Sequence, residues 1–418
     1  MQDFLESNDS LDLGDVLLGG GKAVVAFVVL LVSVMLMVWF ERKVVSRLQN
    51  RIGPNIAGPF GLLQTLADGT KLFFKEDIIP TRSDRFVFQL APYLSLVPAF
   101  LTFAVVPIAG DFSSGDGRVE LFGRQTYIQV ADVPIGILFF LGMSSLGIYG
   151  IMLAGWSSGS KYPLLGSVRA TAQAISYEAA LGLSLAAVLL VSESLRTTDI
   201  VALQAGEGFF GVVPNWNVLV TGVIPFVVFL IAGTAELNRP PFDLVEAEQE
   251  LVGGFHTEYS SIRFALFFLA EFMNTVTMGA IIVTLFFGGP SGPNFGLLPG
   301  WLWGFVWFFS KLLVLLFTFV WFRGTLPRLR YDQLMNLGWK ILIPLSLAWL
   351  LVLGGIRVAQ QPGAIDFTSD TRANTYVVLG IAGIIICVGS LLLMAAISTA
   401  RKERLKNEGL VAVSVEGE

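Results

Sequence analysis

Long apolar stretches separated by short charged segments dominate this chain. Nine runs approach the roughly 20 residues that a helix needs to cross a bilayer: 22–40, 87–107, 133–155, 172–191, 217–235, 263–287, 301–321, 339–356 and 375–398. The segment between the first two is long and unusually unpolar. In it Leu62, Leu63, Leu66 and Phe73 recur at helical spacing, with Gln64, Asp68, Lys71 and Lys75 between them. That alternation predicts an amphipathic helix lying in the interface plane, entered through the Gly- and Pro-set turns of RIGPN and AGP. The predicted fold class is an all-α polytopic membrane protein of about nine transmembrane helices, plus this interfacial helix in the first cytoplasmic loop. The helix either anchors the chain to the surface or frames a lateral opening for a lipid-soluble substrate.

Composition narrows the picture. With 54% hydrophobic and 14% charged residues, 34 Phe, 9 Trp and 44 Gly, the chain is too apolar for an ordinary soluble globule. Its aromatics suit membrane interfaces and its small residues suit close helix contacts. The single cysteine, Cys387, lies inside an apolar run and provides no disulfide, zinc or iron–sulfur ligand set. Any redox centre therefore belongs to a partner.

Net charge is −5, but its placement matters more. The loops after spans 1, 3, 5 and 7 and the C-terminal tail carry 20 of the 27 Lys and Arg residues; the opposite side carries 6, and Lys311 lies within a span. The positive-inside rule then places those loops and the tail in the cytoplasm and the N-terminus outside. The N-terminal segment is acidic, with its positive charges after the first span, which is not the order of a cleavable signal. The expected organisation is an external segment 1–21, a core 22–357 with chamber loops 41–86, 156–171, 236–262 and 322–340, a loop and ninth span 358–398, and a tail 399–418. No internal repeat of the transporter kind is visible.

The loop after the fifth span, AELNRPPFDLVEAEQELVGGFHTEYS, holds Glu236, Asp243, Glu246, Glu248, Glu250 and Glu258 with Arg239, interleaved with Phe242, Leu244, Leu251 and Phe255. A solvated loop would not carry so many apolar residues. Packed carboxylates pair with cations or hold protons, and the Arg-rich loops 41–86 and 322–340 offer partners. His256 is the only histidine, and one imidazole does not make a metal site, so no metal is assigned. Three charges fall inside spans: Glu178, Glu271 and Lys311. Ionisable groups at that depth mark proton pathways or pair with one another, so a Glu–Lys lock between helices stays open beside a relay that Glu236 continues from the loop. Arg169, Gln173 and Tyr177 add a polar stripe on span 4.

The stretches ERKVVSRLQNRIGPN, GLLQTLADGTKLFFKE, GWSSGSKYPLLGSVRATAQAISYE, AELNRPPFDLVEAEQELVGGFHTEYS, RFALFFLAEF and RGTLPRLRYDQLMNLGWK resemble, in order from about residue 41 to 340, the family of H-type subunits of the bacterial proton-translocating NADH:quinone oxidoreductase, respiratory complex I. Its mitochondrial counterpart is the first ND subunit. The resemblance implies a multi-pass component of the cell inner membrane that docks the peripheral-arm quinone-site subunits on the cytoplasmic side. It would lie beside small membrane subunits and antiporter-like subunits, amid membrane lipid, with quinone as substrate and no nucleic acid. The chain would bind no cofactor alone, with NADH, FMN and the iron–sulfur clusters on partner subunits. Carried over by motif, Glu41, Arg42, Arg51, Asp68, Arg239, Asp243, Glu246, Glu248, Glu250, Arg323 and Arg328 would form the quinone chamber and Glu236, Glu178 and Glu271 the proton relay, which Lys311 joins by its depth in span 7 and by no motif. The implied catalysis is that of the whole translocase, with no catalytic residue on this chain directly.

Two departures stand out. Val245 replaces a Pro common in DLPEAE, and span 3 has no carboxylate between Pro134 and Gly155, so a path through it uses water, Ser144, Ser145 or Tyr149. The rival readings are the related membrane subunit of an energy-converting hydrogenase-type complex, a stand-alone ion transporter, and a passive scaffold.

Overall fold

Apolar runs of this length hydrogen-bond their own backbones as helices when water is absent, and the computed structural model is helical almost throughout. It describes residues 13–112, 116–121, 123–206, 215–244, 252–294 and 299–360. In chain order the helices are α1 (Leu13–Leu48), α2 (Gln64–Phe74), α3 (Arg85–Phe103), α4 (Gly136–Ser157), α5 (Lys161–Ser192), α6 (Thr197–Ala205), α7 (Asn217–Val220), α8 (Val223–Glu236), α9 (Ser261–Phe286), α10 (Gly300–Thr325), α11 (Tyr331–Leu337) and α12 (Ile343–Gln360). Strands β1 (Val119–Leu121) and β2 (Arg124–Thr126) form one antiparallel hairpin, with Glu120 opposite Gln125. Among the described residues, seven helical segments are long and apolar enough to cross a membrane, and α8 is a shorter apolar helix. The protein is thus an all-α polytopic membrane protein. Met1–Leu351 forms one compact unit; Val352–Glu418 forms another, described only to the end of α12 at Gln360. The expected ninth span, Cys387, the tail and the first twelve residues of the N-terminal segment lie outside the described residues.

Several expected boundaries move, each for a local reason. Span 1 extends at both ends, because ERKVVSRL stays helical past the last run of apolar residues. α5 begins at Lys161, so most of the expected loop 156–171 is helix. Span 5 is two pieces: Gly222 takes φ +83°, a conformation that breaks the helix and that L side chains rarely adopt. Between α11 and α12, Gly338–Leu342 forms a π-helical turn.

Close packing holds the bundle. A Cβ on Gly150 of α4 would overlap Ser95 of α3, which is how a small residue lets two membrane helices approach. α3 starts at an N-cap, Asp84, whose carboxylate accepts from the backbone N–H groups of Phe86 (3.2 Å) and Val87 (3.3 Å). At the centre runs α9, buried without a break from Thr275 to Phe286 and packed against α1, α3, α8 and α10. Thr275, Thr277 and Thr284 in that stretch therefore face other helices.

Candidate functional site

The amphipathic helix is in place and its setting is specific. Before it, the Trp39 indole donates to the Phe60 carbonyl (3.0 Å); within it, the Thr65 hydroxyl donates to the Met35 carbonyl (3.3 Å), tying this end of the segment to α1. Its far end is tied to α9, where the Ser261 hydroxyl donates to the carbonyls of Leu72 (3.0 Å) and Lys75 (2.8 Å) and Arg263 pairs with Asp77 at 3.1 Å. α2 thus bridges α1 and α9 while leaving Leu66, Phe73 and Phe74 exposed.

Behind α2, between α1 and α9, lies a cavity of about 620 Å³ lined by Glu41, Arg42, Arg51, Arg239, Asp243, His256, Glu271 and Arg323, with Val38, Val45, Phe264, Phe268 and Phe272 among its apolar walls. Val38, Glu41, Arg42 and Val45 share one face of α1 by helical spacing. Glu41 and Arg239 are each only 5% exposed and meet at 2.7 Å. Arg239 also reaches Glu271 at 3.4 Å and lies 4.4 Å above the ring of Phe272, while Arg323 closes on the other oxygen of Glu41. Arg328 pairs with Asp243 at 2.8 Å.

The pairing differs in part from the sequence expectation. The loop 322–340 supplies Arg323 and Arg328, but Arg42 stays within its own loop, on Asp68 at 2.6 Å, and the central guanidinium is the acidic loop's own Arg239. Arg51 lines the cavity and donates to Gln49 (2.6 Å). Glu246, Glu248 and Glu250, with Val245, lie outside the described residues.

Deeper in, a cavity of about 90 Å³ is lined by Ser95, Ser144, Glu236, Asn238, His256, Glu271 and Asn274 with apolar neighbours. Asn238, His256, Phe264, Phe268 and Glu271 line both spaces and form the partition between them. On α4, Ser144 donates to Glu236 and the adjacent Ser145 donates to Glu178. Glu271, Glu236 and Glu178 thus come from three helices to the two cavities and the serine pair. The polar stripe on α5 has a different use: Gln173 donates to the carbonyls of Ala235 (2.7 Å) and Phe242 (3.0 Å), and Tyr177 to that of Leu334 (2.9 Å), so both clamp backbone.

Lys311 is set apart from these carboxylates. Its ammonium donates to the carbonyls of Phe287 (2.8 Å), Gly289 (3.0 Å) and Ser291 (2.7 Å), beyond the far end of α9. The 16 residues from Glu271 to Phe287 correspond to about 24 Å of helix. The Glu–Lys lock left open by the sequence is not formed among the described residues.

Sequence reasoning passed over Asn238, Asn274 and Ser95 as site residues and read His256 as structural. Asn274 stands three residues after Glu271 on the same face, which helical spacing could have revealed; Ser95 has no sequence signal. His256 sits outside the spans, on the wall shared by both cavities, and burial pulls its imidazole down to about 4, so it is neutral at physiological pH.

The family described as NADH dehydrogenase matches residues 21–354. A relative from Frankia alni, named as the H-type subunit of NADH-quinone oxidoreductase, is 50% identical over 364 residues, covering 86% of this chain and 77% of its own. Relatives of the same name from Frankia casuarinae and Streptomyces avermitilis are 49% and 48% identical, over 92% and 81% of this chain and 80% and 73% of theirs.

Proposed function

Because this chain belongs to the NADH dehydrogenase family, as a membrane-embedded H-type subunit of NADH-quinone oxidoreductase, we propose that its charged cavity is the membrane part of the quinone chamber and that quinone reduction there is coupled to proton translocation through Glu271, Glu236 and Glu178. The observation that carries this reading is that Glu271 lines both the charged cavity and the small inner one. A carboxylate shared by two spaces can answer a charge change in one by altering its interaction with the other.

A quinone's apolar tail enters past α2, whose exposed Leu66, Phe73 and Phe74 meet lipid, and its headgroup approaches the Arg- and Glu-lined interior. Reduction by electrons from the partner subunits takes up protons and changes the local charge. In a low-dielectric site that change is felt strongly by nearby ionic pairs, first by Arg239, which is shared between Glu41 and Glu271. Glu246, Glu248 and Glu250 would hold protons on the chamber side. Ser144 and Ser145 would link Glu236 to Glu178, standing in for the carboxylate that α4 lacks. Asp68, Arg42 and Arg51 shape the entrance, and Lys311 takes no part in transfer.

In this orientation the basic loops and tail face the cytoplasm, where the peripheral-arm subunits carrying NADH, FMN and the iron–sulfur clusters dock, and the N-terminus lies outside. The small membrane and antiporter-like subunits receive the charge movement. The test is Glu271→Gln in the assembled enzyme. Quinone reduction should continue in uncoupled membranes while protons moved per NADH oxidised fall. Normal pumping by the assembled variant would overturn the relay; loss of assembly with Glu271→Gln and Glu236→Gln alike would favour a scaffold role.

A further inference from the structure

A third cavity, at the opposite end of the bundle from the charged one, is unused by the proposed chemistry. It is a half-open groove of about 650 Å³ along α1, lined by Leu17, Leu18, Val25 and Val29 of that helix and by Ile108, Leu121, Ile128, Val130 and Phe305 across from it, with Lys22, Arg124 and Gln129 as its polar groups. We propose that this groove binds one anionic phospholipid, its phosphate on Lys22 and Arg124 and an acyl chain along α1.

Length supports the fit. From Lys22, where the phosphate sits, to Val29 the groove follows about 10 Å of helix, room for the upper part of an acyl chain within a leaflet of about 15 Å. On the membrane side of Lys22, α1 lines the groove with Val25, Ala26 and Val29 only, which accept a chain, not a soluble anion.

The polar groups indicate the headgroup. Lys22 is pinned by its bonds to the Thr126 hydroxyl (2.7 Å) and the Tyr127 carbonyl (3.3 Å), and an ammonium has three donors, so one hydrogen remains for a ligand. Asp132, the carboxylate that acts on Lys22, is itself held by Arg196 at 3.7 Å and Thr198 at 3.1 Å. The independent observation is Gln129. It is 3% exposed, lines the groove, and has no hydrogen-bond partner for either Nε2 or Oε1 among the described residues. Buried amides are rarely left so; the ester and phosphate oxygens of a lipid would accept from its N–H groups, and a glycerol-type hydroxyl would donate to its oxygen.

Gly21 provides a clean test, because it faces the groove and a Cβ built on it meets no atom within 4 Å. Gly21→Leu therefore projects into the lipid's space from a Cβ position that meets no protein atom, and it favours helix. The assembled oxidoreductase, reconstituted in vesicles doped with photoreactive phosphatidylglycerol, should label the α1 peptide containing residues 14–29. Gly21→Leu and Lys22→Gln should each lower that labelling by about tenfold, with assembly and quinone reductase activity unchanged. Photoreactive phosphatidylcholine should label it far less. The proposal is overturned if α1 is unlabelled, if neither substitution lowers labelling, if both lipids label equally, or if Val25→Cys crosslinks instead to a helix of another subunit.

Discussion

Arg239 and Glu41, 198 positions apart in sequence, form a 2.7 Å ion pair in which each partner is only 5% exposed. Their union fixes the acidic loop against α1 and leaves the second edge of the guanidinium for Glu271. Breaking a buried pair by deleting one partner costs about 3–5 kcal/mol, because the remaining charge stays buried. Arg239→Met should therefore lower the thermal stability of the purified assembly or its yield. Adding Glu41→Gln should recover part of that loss, and a double-mutant cycle with no coupling between the two positions would contradict the pair.

The serine pair on α4 can be tested apart from that ion pair. Ser144→Ala removes the hydroxyl bonded to Glu236, and Ser145→Ala removes the one bonded to Glu178. Each hydrogen bond contributes about 0.5–1.5 kcal/mol, or up to roughly tenfold in rate where transfer depends on it. Proton uptake by inverted vesicles should fall in each variant while uncoupled quinone reduction is kept. Coupled rates equal to wild type in the Ser144→Ala, Ser145→Ala double variant would remove α4 from the path.

His256 gives a pH dependence with a definite sign. Its ordinary value is 6.5, and burial lowers it to about 4 in the folded chain. Between those values the unfolded segment binds a proton that the folded one resists, so stability is full above about pH 6.5 and is lost as pH falls toward 4. Hydrogen-exchange protection of the segment 252–261 in the assembled enzyme, taken relative to the intrinsic rate at each pH, should fall through that window, and His256→Gln should flatten the response. Protection that rose with acid would reverse the assignment.

Lys311 should behave as a structural group. Lys311→Met leaves the carbonyls of Phe287, Gly289 and Ser291 without their shared donor, at about 1–3 kcal/mol per unsatisfied group. Thermal inactivation should come at a lower temperature, with protons moved per NADH unchanged. A drop in that ratio would return Lys311 to the relay.

Local pattern was enough for the class of fold. Run lengths and apolar continuity located the seven long apolar helices among the described residues and the shorter α8, the spacing of Leu62, Leu63, Leu66 and Phe73 marked the amphipathic helix, and Gly222 with Pro225 held the signal for the break in span 5. These features depend on near neighbours along the chain, so they survive in one dimension. The family, too, was legible, in six ordered motifs. Which charges meet was not. Nothing near Arg239 in sequence points to Glu41 over Asp68 as its carboxylate partner, or sets Lys311 on carbonyls instead of a carboxylate. Ser144 and Ser145 were candidates together, and only packing gives each a different glutamate. An ion pair in a low-dielectric interior is selected by approach geometry and by the burial of both partners, and those follow from how α1, α4, α8 and α9 pack, not from any one segment.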